Sequence, residues 1–144
     1  SSSMLIVEMA AYYKAQGMTL IDALNGIYAK YGYYYDCLET LVLKGKAGAE
    51  KICAAMSALR AEGGGLFDDI EHVSDYLTGI DDLPRENVLR FEFNDGSWAA
   101  VRPSGTEPKL KLYFSVRGED RRSAEQRQKA IRNALFVVID KIKV

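Results

Sequence analysis

Two cysteines and one histidine are all that this 144-residue chain offers to soft metals and redox chemistry. Cys37 and Cys53 lie sixteen positions apart with no CxxC, and His72 has no second histidine to join it, so neither a zinc site nor a redox pair follows. A single bridge between the two thiols is one reading. The other, which a chain long enough to bury a core without a staple favours, is a pair of reduced core thiols in a cytosolic protein. Long apolar runs are missing too: nothing approaches the roughly 20 residues that span a bilayer, and no basic-then-apolar leader opens the chain, so the expectation is a cytoplasmic protein with no membrane partner. An excess of one charge is also absent. Nineteen Lys and Arg against twenty Asp and Glu leave a net −1, without the basic footprint of a nucleic-acid binder. What remains, 48% hydrophobic and 27% charged, is the composition of an ordinary globular domain, not of a collagen, a coiled coil or a disordered chain.

Ser1 to Ser3 are either a helix-capping run or a remnant of added sequence. Met4 to Gln16 then predicts a helix, with Leu5, Met9 and Tyr12 on one face and Gly17 as its stop. A second helix starts at Thr19, whose hydroxyl can accept a backbone N–H while Asp22 sits three positions on, and ends at Gly32. Tyr33 to Leu43 is dense in aromatic and β-branched residues and reads as a strand. A third helix is expected over Ala49 to Ala61, closed by Gly63, Gly64 and Gly65. From Glu62 to Pro84 seven acidic residues meet no Lys or Arg, which predicts a solvated acidic excursion with a short strand-like piece at Val73 to Leu77 and His72 on its surface; the spacing matches no EF-hand. Leu89, Phe91 and Phe93 alternate with Arg90 and Glu92, Asp95-Gly96 supplies a turn, and Trp98 to Arg102 returns, which is a hairpin. Leu110 to Val116 alternates again, and a long helix follows from about Ser123. Strand, helix, three strands, helix is an α+β pattern: a four-stranded antiparallel sheet with helices packed on one face.

Between the last two strands lies Arg102-Pro103-Ser104-Gly105-Thr106-Glu107-Pro108-Lys109-Leu110-Lys111. A phosphate needs converging donors, a cation, and backbone that can approach closely. Ser104 and Thr106 bring hydroxyls, Gly105 lacks the Cβ that would keep consecutive N–H groups from curling into an anion nest, and Arg102 brings a planar fork. Lys109 and Lys111 add point charges, and Pro103 and Pro108 each fix φ, which limits the entropy lost on binding. Residues 102–117 carry four basic side chains against one acidic, a local net of +3 in a chain of net −1. The same residue types also build an ordinary turn with solvated lysines, and physics alone leaves both readings open.

At these residues the sequence resembles the phosphoglucomutase/phosphomannomutase family, the α-D-phosphohexomutases, with the bacterial-type phosphoglucomutases as the nearest branch. VRPSGTEPKLKLYF is similar to that family's C-terminal phosphate-binding loop, and MAAYYKAQGMTLIDALNGIYAKYGYY and LKGKAGAEKI extend the likeness over nearly the whole chain. The resemblance implies an intramolecular phosphotransferase: an enzyme phosphoserine gives its phosphoryl group to a hexose 1-phosphate, the bisphosphate intermediate (glucose 1,6-bisphosphate) reorients, and the other phosphate returns to the serine, leaving hexose 6-phosphate. It implies Mg²⁺ in the full-length enzyme, and a TATA-box-binding-protein-like fourth domain that grips the phosphate not being transferred. The family's phosphate contacts fall on Arg102, Ser104, Gly105 and Thr106, with Lys111 where relatives often carry arginine and Lys109 as a weaker candidate. Lysine keeps the charge at 111 but loses the bidentate fork.

No TASHNP-type serine loop, DGDxDR metal loop or GEESG-type sugar loop occurs in the chain. The resemblance therefore implies a fragment: residues 1–32 as closing helices of the third domain, 33–144 as the fourth, no catalytic residue and no metal ligand of its own, and the other mutase domains as partners. Mannose and pentose phosphates are alternative substrates of the same superfamily. A binding module using the open sheet face on RNA is the rival, and Tyr113 alone, with no net positive charge, argues against it. A first helix whose apolar face is orphaned would dimerise or leave residues 1–16 disordered.

Overall fold

The computed structural model describes residues 1–80 and 82–142, so Asp81 of the acidic stretch lies outside it. Two compact units divide the chain, Ser1–Tyr33 and Tyr34–Val144. The first holds α1 (Ser2–Ala15) and α2 (Leu20–Tyr31). Thr19 opens α2 as a reciprocal cap: its hydroxyl accepts from the Asp22 amide at 3.1 Å and the Asp22 carboxylate accepts from the Thr19 amide at 2.8 Å. These bonds with Thr19, the side-chain one foremost, hold the Asp22 carboxyl below its ordinary range. Gly32, at φ 96°, closes the helix where a side chain would be strained. No side chain of α1 is buried. The single face expected there is an underestimate, because Met4, Leu5, Ile6 and Val7 are consecutive and so carry exposed apolar surface around the whole first turn.

The second unit runs β1 (Tyr33–Val42), α3 (Gly45–Glu62), a 3₁₀ turn (Gly63–Leu66), β2 (Ile70–Asp75), β3 (Leu89–Phe93), β4 (Trp98–Pro103), β5 (Lys109–Gly118) and α4 (Arg121–Lys141). The sheet order is β1-β5-β4-β3-β2, and β2–β3, β3–β4 and β4–β5 are antiparallel. Just past β1 the Leu43 amide donates to the Pro108 carbonyl at 2.9 Å, so the end of β1 meets the start of β5 and these two strands also run oppositely.

The sheet has five strands where four were expected. The extra one is β2, drawn from the acidic stretch three residues earlier than its strand-like piece suggested. Its composition hid it because an edge strand half-buried on one face needs few apolar residues: Ile70 and Val73 pack toward the core, while the acids find basic partners. Asp75 accepts from Arg60 at 2.9 Å and Asp69 from Arg127, so β2 is anchored at both of its ends and the excursion is only partly solvated.

Alternation builds the core. Leu89, Phe91 and Phe93 of β3, Ala99 and Val101 of β4, and Leu110, Leu112, Phe114 and Val116 of β5 all point to one face. Against it lie Ile52, Ala55, Met56 and Leu59 of α3 and Ile131, Leu135, Val138 and Ile139 of α4. Both helices cover this face and leave the other open. The α3 helix begins four residues before the expected Ala49, because glycine is tolerated in a first turn whose backbone N–H groups are unpaired anyway. Gly48 is required by space: a Cβ there would sit 2.3 Å from the Leu43 carbonyl oxygen. Asp120 and Ser123 form a second reciprocal cap that opens α4, with the Ser123 bonds lowering the Asp120 pKa.

Neither cysteine forms a disulfide. Cys37 is partly buried against the core, where burial first, then Glu39 and Asp36, push its thiol pKa up. Cys53 is a correction to the expected core thiol. The inward stripe of α3 runs through Ile52 and Met56, which turns position 53 outward.

Candidate functional site

The Ser-Gly-Thr loop is a narrow excursion between two strands whose registry is tight at its base. Pro103 stands opposite Leu110 and Arg102 opposite Lys111. Above them the Ser104 amide donates to the Lys109 carbonyl at 2.8 Å, and the Lys109 amide to the Glu107 carbonyl at 2.7 Å. The Lys109 ammonium pairs with the Glu107 carboxylate at 2.9 Å. Side-chain direction follows from the pleat: Leu110 and Leu112 enter the core, so Lys109 and Lys111 emerge on the open face, as does Arg102 beside Val101.

Arg102 and Lys111 are therefore cross-strand neighbours of like charge, an arrangement that destabilises a sheet. Among the described residues no ion pair or side-chain hydrogen bond reaches either one. Lys109, by contrast, is already partnered by Glu107, so the three expected cations divide into two free and one spoken for.

Gly105 differs from the expectation. Its φ lies outside the left-handed region, so no nest turns on it, and a Cβ there would meet nothing within 4 Å. Space beside the loop, rather than backbone strain, is what glycine leaves at this position. Ser104, Gly105 and Thr106 line an open groove of about 510 Å³ whose opposite wall is Gly45, Ala49, Ile52 and Cys53 of α3. The side chains of Arg102 and Lys111 are not part of that lining. The structure thus gathers Ser104, Gly105 and Thr106 on one side and sets Arg102 and Lys111 together at the loop's base on the open face.

The α3 wall is what sequence reasoning missed. Its signal was Gly48, since a glycine in a helix marks close backbone approach, here to Leu43, whose own amide donates to Pro108. His72 is exposed on β2 across from Glu92, away from the loop. Among the described residues no three His, Cys, Asp or Glu side chains converge. No described helix is long and apolar enough to cross a membrane.

These features define an α+β domain: an antiparallel sheet backed on one face by two helices, carrying an uncompensated cation pair beside a Ser-Gly-Thr loop. Comparison with known proteins assigns it. The family described as phosphoglucomutase/phosphomannomutase, C-terminal domain, matches residues 16–134, and the chain belongs to that family. It is 39% identical over 128 residues to a phosphoglucomutase of Staphylococcus aureus and 36% identical over 131 residues to one of Staphylococcus saprophyticus. These alignments cover 78% and 81% of this chain and 23% of each relative, so the chain spans about a quarter of their length. Among solved structures, parafusin, a phosphoglucomutase of Paramecium in its open form, shares the fold at a TM-score of 0.62 and 18% identity, over 92% of this chain and 25% of that one.

Proposed function

We propose that this chain holds substrate phosphate for a phosphoglucomutase-type enzyme that interconverts hexose 1-phosphate and hexose 6-phosphate through a phosphoserine and a bisphosphate intermediate. The observation that carries the reading is the Arg102–Lys111 pair, two cations in register with no acidic partner among the described residues, at the base of the loop that carries Ser104 and Thr106. An anion bound there turns a repulsive pair into two charge-assisted contacts, each worth about 1.5–3 kcal/mol. Arg102 would hold two phosphate oxygens and Lys111 a third; Ser104 and Thr106 would donate from the loop, and the space beside Gly105 would let the anion reach the backbone. Lys109 stays with Glu107 and steadies the loop.

The reaction needs this grip twice, because the phosphate that waits in the first transfer is the one returned to the serine in the second. The serine, the Mg²⁺ that offsets charge on the transferring group, and the loop that selects glucose, mannose or a pentose belong to other domains, so this chain is inactive alone. Residues 1–32 close the preceding domain and 33–144 form the substrate-phosphate domain; the division into two compact units supports that boundary. The exposed apolar residues of α1 then dock on the rest of the mutase. Doubly charged sugar phosphates do not cross membranes, which puts the work in the cytoplasm.

Isothermal titration with glucose 1-phosphate tests the reading. Wild type binds and Arg102→Ala binds at least about tenfold more weakly; no binding by wild type, or equal binding by the variant, refutes it. Mannose 1-phosphate binds as well as glucose 1-phosphate, because the loop reads the phosphate alone.

A further inference from the structure

The two edges of the sheet are built differently. β2 is six residues long and bulged between Ile70 and His72, a device that discourages further pairing. β1 is ten residues long and contains no Pro, Lys or Arg. It has a sheet neighbour, β5, on one side only. The Leu43–Pro108 hydrogen bond sets which way its backbone groups point. Because Leu43 faces β5, the N–H and C=O groups of Tyr34, Asp36, Leu38, Thr40 and Val42 face outward, unpaired by the sheet. The side chains of the same five residues are exposed, and three are apolar: Tyr34 is 41% exposed, Leu38 52% and Val42 51%.

We infer that β1 is a self-association edge, on which two copies of this chain pair antiparallel about a two-fold axis at Leu38 and join their sheets. The commitment to a second copy comes from the order of residues along the strand. A two-fold axis perpendicular to the sheet keeps both open faces on one side only in registers that set even positions opposite even ones. Centring on Asp36 or on Glu39 faces each acid with itself. Centring on Cys37 sets Asp36 against Leu38. Centring on Leu38 sets Leu38 against Leu38, Tyr34 against Val42 and Asp36 against Thr40, with Glu39 opposite Cys37 on the other face. No acid meets an acid, and every exposed apolar side chain of the strand meets another. Thr40-centred pairing also avoids acid contacts, but it leaves Tyr34 without a partner and shortens the ladder.

Sedimentation of the 144-residue chain across about 10–200 µM tests this. The expected species is a dimer of the 16.0 kDa chain. Leu38→Lys, which places two ammonium groups across the axis, weakens it at least about tenfold with an unchanged circular dichroism spectrum. In a Cys53→Ser background, Leu38→Cys forms an intermolecular disulfide under mild oxidation, since opposed strand positions lie about 5.5 Å apart between Cα atoms. Met9→Cys in the same background reports on α1, and Cys53→Ser alone controls for Cys37. A monomer at every concentration overturns the inference. So does a dimer that crosslinks through position 9 and not 38, or one that survives Leu38→Lys.

Discussion

Replacing Lys111 by glutamine keeps most of the side chain and removes its charge, which isolates the cost of holding two cations in register. Directly opposed residues have Cβ atoms about 4.5–5.5 Å apart, and the longer reach of Arg102 and Lys111 puts their charges about 7 Å apart. At that separation, in a dielectric near that of water and at low salt, the repulsion is about 0.5 kcal/mol. Relief of that amount raises the melting temperature of a domain this size by about 1–2 °C. The direction is opposite to the usual effect of a substitution. With a phosphate ligand present the order reverses: the variant has lost a contact of about 1.5–3 kcal/mol, so its affinity falls about 10- to 150-fold and its ligand-induced stabilisation shrinks. Differential scanning calorimetry at low salt, with and without glucose 1-phosphate, reads both numbers in one experiment. Added sodium chloride narrows the ligand-free difference. A variant that melts below wild type without ligand, or that gains as much from ligand as wild type does, refutes the reasoning.

In the complete enzyme, Arg102→Ala slows turnover in both directions, because each phosphate must be held in turn; steady-state assays from hexose 1-phosphate and from hexose 6-phosphate show comparable losses. Gly105→Ala leaves thermal stability close to wild type and weakens phosphate binding, whereas Gly48→Ala, whose Cβ would press on the Leu43 carbonyl, costs about 1–3 kcal/mol in denaturant unfolding. Asp120, whose pKa is lowered in the folded state by its bonds with Ser123, contributes stability above the usual carboxylate range that is lost as pH falls through the lowered value; Asp120→Ala therefore melts below wild type at pH 7, and the gap closes on acidification toward pH 3. Ellman's reagent at pH 8 labels Cys53 fast and Cys37 slowly, since burial and the neighbouring acids hold Cys37 protonated, and Cys53→Ser removes the fast phase.

Most of the second unit's core was readable from alternation and periodicity, because these are local consequences of a pleated strand and a 3.6-residue helix turn. Leu89, Phe91 and Phe93, and likewise Leu110 through Val116, could point one way only once their strands formed. The Thr19–Asp22 cap was equally legible, since both partners lie within one turn of chain. The loop's hydroxyls, glycine and cations are legible as residue types as well. Tertiary structure alone decided which of those cations is already paired. Lys109 and Lys111 are indistinguishable as letters, yet one is neutralised by Glu107 and the other faces Arg102, because the fold of the loop and the register across β4 and β5 set those distances. It also decided that an acidic stretch becomes the fifth strand: Arg60 and Arg127, which neutralise Asp75 and Asp69, come from helices 15 and 58 residues away in sequence. Local pattern determines what a segment prefers to be, whereas charge pairing acts through space and is set only when distant segments meet.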